Sequence, residues 1–176
     1  MLFGLFKPLK SKDSPSAQVL SGRILPILGV ERQVVIQNDI KKGITITDKQ
    51  IIVTDPRQNF SKALEEGLKH HIRKIFETLC LVYAQQLGVK VNKISIRDTR
   101  SRWGSCSSRG NLSFSWRLIF APYPVVVYLA AHEVAHLIHM NHSRAFWQTV
   151  ATIDPGYLSA RQWLRQQGHA LLKINI

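Results

Sequence analysis

The stretch whose reading decides the fold runs from His132 to Trp147, "HEVAHLIHMNHSRAFW". Four of the chain's seven histidines lie in it: His132, His136, His139 and His142. His132, Glu133 and His136 spell H-E-x-x-H. On a helix, residues four apart project from one face, one turn above the other. Two imidazoles so placed can meet one ion at about 2.0–2.1 Å, and neutral imidazole suits zinc in tetrahedral geometry. Glu133 adjoins His132, so its carboxylate can reach a water on that ion and accept its proton while the water attacks a carbonyl. The neighbours Val134, Ala135, Leu137 and Ile138 are apolar, which predicts that the two histidines and the glutamate are partly buried. A polar helix face with two ordinary histidines would show the same short pattern without that setting. Burying ionisable groups without partners is costly, and a divalent ion offsets the cost by binding them.

A catalytic zinc takes a third protein ligand and keeps a fourth position open. Beyond His136 the available donors are His139, His142, Asp154 and His169, because no glutamate follows Glu133 and Asp154 is the one aspartate there. His139 is three residues on, pointing about 60° away from His136. Asn141 tolerates left-handed backbone, and a reversal at Met140–Asn141 would bring His142 back to the ion. His142 is therefore the expected third ligand of one zinc per chain, with Asp154 the next choice. Ser143 is expected to cap the following helix, whose Phe146 and Trp147 would pack beneath the site.

Working outward, the 176 residues suit one domain with a small extension, and 45% are apolar. No apolar run approaches the roughly 18–20 residues that span a bilayer. The opening "MLFGLFKPLK" places its charge after its short apolar part, unlike a signal peptide. Residues 1–18 read as a flexible polar tail, with Leu2, Phe3, Leu5 and Phe6 able at most to touch a membrane surface. Cys80 and Cys106 form no C-x-x-C pair and no disulfide framework, which fits a cytoplasmic home. The formal charge is +13, and eleven Lys/Arg against four Asp/Glu fall between Lys62 and Arg117. That field attracts polyanions. Nucleic acid is thus a possible partner, although zinc-finger spacing and RNA-binding aromatic signatures are both missing.

Along the chain, "QVVIQND" and "GITITDKQIIVT" alternate as strands of a small meander or hairpin set over residues 19–54. From Ser61, a possible cap, Leu64, Leu68, Ile72, Ile75, Leu79, Val82 and Leu87 recur at helical steps, and Gly88 stands where a left-handed cap would end the helix. His70 and His71 ride on this helix as surface or boundary residues. "VNKISIRDTRSRWGSC" and "NLSFSWRLIFA", joined by the turn residues "SSRG", read as a hairpin. Leu112, Phe114, Trp116 and Leu118 form its buried face. Pro122 opens the histidine helix, and two more helices follow, broken at Asp154–Pro155–Gly156. Strands, long helix, hairpin and three helices without βαβ alternation give an α+β domain over residues 19–176. Its β-rich part covers 19–56 and its catalytic core 57–176.

Two blocks, "RSRWGSCSSRGNLSFSWRLIFAP" (100–122) and "YLAAHEVAHLIHMNHSRAFW" (128–147), resemble the YgjP-like metallopeptidases, zincins related to the SprT-like and WLM proteases. The resemblance covers roughly residues 60–170. It implies a zincin-like fold and a zinc-dependent hydrolase acting on peptide or protein, with His132, His136 and His142 on the metal and Glu133 as base. The His136-to-His142 spacing equals that of metzincins, but His139 stands where they place Gly, and no methionine follows His142. Zincins similar to this chain lay substrate along an edge strand beside the metal helix; Trp103–Cys106 or Asn111–Trp116 would supply that edge. Trp103, Phe114 and Trp116 read more simply as core, and Cys106 as a small buried residue in preference to a fourth ligand. Arg102, Arg117 and Tyr157 are candidates to stabilise a developing oxyanion.

Overall fold

The computed structural model describes residues 17–99 and 101–176. The expected tail therefore lies outside the described residues, except Ala17 and Gln18, which belong to a short helix α1 (Ala17–Leu20). Among the described residues no helix is long and apolar enough to cross a membrane.

Four strands follow: β1 (Ile24–Ile27), β2 (Val30–Gln37), β3 (Gly43–Ile46) and β4 (Gln50–Thr54). They make a sheet of order β1-β2-β4-β3. The expected hairpins are there, β1 with β2 and β3 with β4, but the two are joined by parallel pairing of β2 with β4. Val34, Ile51 and Val53 are its buried residues on the two central strands. The β1–β2 turn reaches across the molecule. Leu28 donates its N–H to the Ile119 carbonyl at 2.8 Å. Gly29, at φ 84°, lies so close to Pro122 that a Cβ would stand 3.2 Å from the proline Cα. The sheet thus buttresses the start of the helix that carries the histidines.

Helix α2 (Phe60–Leu87) is capped by Asn59, whose side chain accepts the Lys62 N–H; Ser61 lies inside the first turn. Gly88 ends it at φ 65°, as its position implied. The buried stripe starts as expected at Leu64, Leu68 and Ile72, then runs through Phe76, Cys80 and Tyr83 in place of Ile75, Leu79 and Val82. Steps of four residues rotate a position by about 40°. The stripe therefore winds as the helix passes from the first sheet to the second.

The second sheet comprises β5 (Lys93–Arg97), β6 (Gly104–Cys106) and β7 (Asn111–Ser115) in the order β5-β7-β6. The β6–β7 hairpin turns through Gly110 at φ 72°. Residues 91–106 are not one strand, however: β5 is separate and pairs parallel with β7 on its far side. Strand β7 also stops at Ser115, and Trp116–Phe120 form a 3-10 helix. Every residue of that turn is buried, including Arg117. Alternation would have pointed Arg117 outward. Instead its Nε donates to Asp98 Oδ1 at 3.0 Å and its Nη1 to the Ile174 carbonyl at 2.8 Å, which ties β5 to the C-terminal segment. Phe114 stacks on Phe76 with ring centres 3.8 Å apart and fixes the sheet to α2.

Helices α3 (Tyr123–Ala135), α4 (Arg144–Ile153) and α5 (Tyr157–Leu171) complete the α+β arrangement. Val125, Val126, Ala130, Ala131 and Val134 make α3 the most deeply buried helix.

Candidate metal centre

Helix α3 carries His132 and Glu133 in its last turn and stops at Ala135, so His136 is its C-cap. The chain then bends back. No left-handed residue makes the reversal: Asn141 is not among the described residues with positive φ. Its Oδ1 accepts the Ser143 N–H at 3.3 Å, and Ser143 Oγ accepts the Phe146 N–H at 3.3 Å. This pair of short polar side chains starts α4 and holds His142 immediately before it.

The ligating nitrogens of His132, His136 and His142 all lie within 4.8 Å of one another. His139, Asp154 and His169 do not join them. The Nε2 atoms of His132 and His142 are 3.1 Å apart. Nitrogens on one tetrahedral zinc stand roughly 3.3 Å apart, given bonds near 2.0–2.1 Å. The His136 Nδ1 is 2.9 Å from the His139 carbonyl. A carbonyl only accepts, so Nδ1 carries the proton and Nε2 keeps its lone pair. Tyr128 Oη is 3.3 Å from His132 Nδ1 and holds the orientation of that ring. Burial, aided by the neighbouring His136 and His142 and by Arg161, lowers His132 to about 3. Burial also lowers His136. Burial thus favours the neutral form of His132 and His136, and imidazole nitrogens gathered this closely are a donor set that zinc takes. The residues present fit such an ion.

Glu133 is 4% exposed, its Oε2 has no hydrogen-bond partner, and burial pushes its carboxyl up to about 8. Its place is made by Gly104 on β6, where an added Cβ would lie 2.8 Å from the carboxyl carbon of Glu133 and 2.9 Å from its Cγ. The glycine of "WGSC" is thus the wall of the acid's pocket, a role the sequence alone did not disclose.

Strand β6 is an edge strand. Ser115 donates its N–H to the Trp103 carbonyl and Ser107 donates to that of Asn111. Antiparallel pairing alternates, so Gly104 and Cys106 turn their own N–H and C=O to the free edge, beside Glu133. Of the two proposed edges, Trp103–Cys106 is the open one, since β7 is central. Cys106 stays outside the histidine cluster. It is half-buried, and burial with the nearby Glu133 pushes its thiol up to about 11.

Phe146 underlies all three imidazoles, with ring centres 4.4–4.9 Å away. Trp147 stacks beside His142 at 5.7 Å and Tyr157 beside Trp147 at 5.6 Å. Among the oxyanion candidates, Arg117 is occupied by Asp98 and Ile174, Arg102 is exposed on the loop before β6, and Tyr157 reaches the site's aromatic wall. Arg161 was not expected. Its guanidinium lies over Trp147 at 4.2 Å. Its signal in the sequence was only a helical spacing from Tyr157.

The sequence profile of the YgjP-like metallopeptidase domain matches residues 6–167. The chain belongs to the YgjP-like metallopeptidase family. The match takes in the N-terminal sheet as well as the two motif blocks, so the β-rich part belongs to the YgjP-like domain. No curated protein matches the chain. The crystal structure of the metallopeptidase zymogen of Pyrococcus abyssi abylysin is similar over 57% of this chain and 99% of that one, at 22% identity and a TM-score of 0.47.

Proposed function

We propose that the protein is a zinc peptidase in which His132, His136 and His142 hold the ion and Glu133 is the general base. One observation carries the reading. Three imidazoles converge within 4.8 Å beside a carboxyl group buried with an unpartnered oxygen. When bound, zinc supplies Lewis acidity toward a carbonyl and makes water more acidic. The chain's own residues supply the rest. Tyr128 and the His139 carbonyl hold two of the rings in register. Glu133 starts from about 8 because it is buried, and the charge of a cation held by the histidines would draw that value down. It then takes a proton from the attacking water and returns it to the departing amine. The free N–H and C=O of Gly104 and Cys106 pair with an extended peptide and align its scissile bond near Glu133. Phe146 and Trp147 keep water from the far side of the imidazoles. Residues 19–176 act together as the catalytic unit.

Metal analysis of purified protein, paired with a broad peptide library cut by wild type and Glu133→Gln, tests this. Stoichiometric zinc is expected, with cleavage only by wild type. A zinc-loaded wild type no more active than Glu133→Gln would overturn it.

A further inference from the structure

From Thr78 to Ile176 the chain has eleven Lys/Arg and three carboxylates, Asp98, Glu133 and Asp154. None of the three is a free surface acid. Asp98 is bound by Arg117, Glu133 is buried, and Asp154 is half-buried with a shielded Oδ2. Arg161 and Arg165 stand one turn apart on α5, on a grooved face shared with Leu158, Gln162 and Gln166. Arg161 lies over Trp147, whose ring stacks beside His142. Arg165 shares a second groove with Arg102, Trp103 and His169. Trp103 immediately precedes β6, and α5 presses on it at Gly168, where a Cβ would lie 3.3 Å from the indole. A line of guanidinium groups therefore runs from the rim of the histidine centre to the Trp103 end of the free edge. Among the described residues no carboxylate pairs with Arg102, Arg161 or Arg165.

We infer that Arg161 and Arg165 form a subsite for acidic peptide segments, so that the protein selects chains carrying Asp or Glu next to the bond it cuts. This rests on the peptidase reading, because a peptide aligned on β6 leaves that edge at its Trp103 end and enters this line. A guanidinium fork matches a carboxylate with two parallel hydrogen bonds. Arg161 is already ordered by its stack on Trp147 and loses little freedom on binding. Gln162 and Gln166 add neutral donors and acceptors on the same face. A lysine-rich segment meets like charge and is rejected.

The test is binding to zinc-loaded Glu133→Gln protein, followed by fluorescence anisotropy. The probes are three labelled peptides that differ only in carrying Glu, Gln or Lys at the same positions. The Glu peptide is expected to bind roughly tenfold more tightly than the Gln peptide. That margin should vanish in Arg161→Gln/Arg165→Gln and persist in Arg109→Gln, which changes the opposite end of β6. Arg165→Glu, which leaves the Trp147 stack intact, should reverse the preference toward the Lys peptide. Equal binding of all three peptides would overturn the inference. So would a double variant that keeps the margin, or a single-stranded oligonucleotide of equal charge that displaces the Glu peptide from these arginines. Should the Glu peptide bind as described while wild type cuts nothing, the peptidase reading fails and the subsite stands.

Discussion

The four-stranded sheet and the three-stranded sheet both lean on α2, and at each a glycine makes room for one intruding side chain. Beside the first sheet it is Gly67 of α2, where an added Cβ would lie 2.6 Å from Cγ1 of Ile44 on β3. In the second sheet it is Gly104, and the intruder is Glu133. Ile44 is hydrocarbon, so the space at Gly67 serves packing. Glu133 is a carboxyl group with a buried, unpartnered oxygen, an arrangement that costs stability and needs a chemical reason. The charges near the two glycines also differ: Lys42 and Lys62 both pair with Glu66 of α2, one residue from Gly67, whereas among the described residues no carboxylate pairs with Arg161 beside the histidine centre. The space at Gly67 is filled by packing, and the space at Gly104 is filled by a group that the proposed chemistry uses.

The comparison breaks first at Glu133. Glu133→Gln keeps the shape of the side chain and removes its basicity. Turnover should fall by about 10²–10⁴, the usual share of a general base, with zinc content unchanged by metal analysis. An unchanged rate would make the buried acid a structural curiosity of the second sheet. Gly104→Ala comes next. The new methyl must displace the carboxyl, and a misplacement near 1 Å costs on the order of 10²-fold in kcat. Steady-state kinetics on any peptide that wild type cuts should show the loss in kcat more than in KM.

How much of this was legible beforehand follows the same line. His132, Glu133, His136 and His142 could be named because their spacing is local: one helical turn, then one reversal. The helices, the Gly88 stop and the Ser143 cap were likewise written in neighbouring residues. What could not be read was non-local. Parallel pairing of β2 with β4, and of β5 with β7, joins segments whose own alternation says nothing about partners. Arg117 looked like an outward residue of a strand because its ties to Asp98 and Ile174 lie far along the chain. Asn141 was expected to turn left-handed, but its side chain makes the turn by accepting the Ser143 N–H. Ser61 competed with Asn59 for the cap, and only backbone geometry decides between such neighbours. The meaning of Gly104 required knowing which carboxyl fills its missing side chain.

The acid's pocket also predicts an opposed pH dependence in metal-free protein. Glu133 moves from an ordinary value of 4.5 to about 8 on folding. The folded state holds that proton more tightly, so its stabilising contribution is complete below 4.5 and is lost as the pH rises to 8. His132 moves the other way, from 6.5 to about 3. Its contribution is complete above 6.5 and is lost as the pH falls toward 3. Urea unfolding in chelator should therefore show greatest stability between pH 4.5 and 6.5. Glu133→Gln should remove the alkaline decline and gain on wild type by on the order of 3 kcal/mol between pH 5 and pH 8. Parallel curves for the two proteins would mean that the carboxyl is solvated.

The smaller effects belong to the first sheet. Gly67→Ala presses a methyl against Ile44 and should lower unfolding free energy by about 1–3 kcal/mol, as overpacking does, while the rate per folded molecule stays that of wild type. Gly43→Ala, on β3 of the same sheet, is the control for both glycines. Nothing lies within 4 Å of a Cβ there, and its φ is not positive. Stability should stay within about 0.5 kcal/mol of wild type, and turnover should not change. A loss of turnover at Gly43 would mean that the first sheet communicates with the metal centre. The β1–β2 turn against Pro122 would then be the route to examine, because it is the contact that joins that sheet to the start of α3.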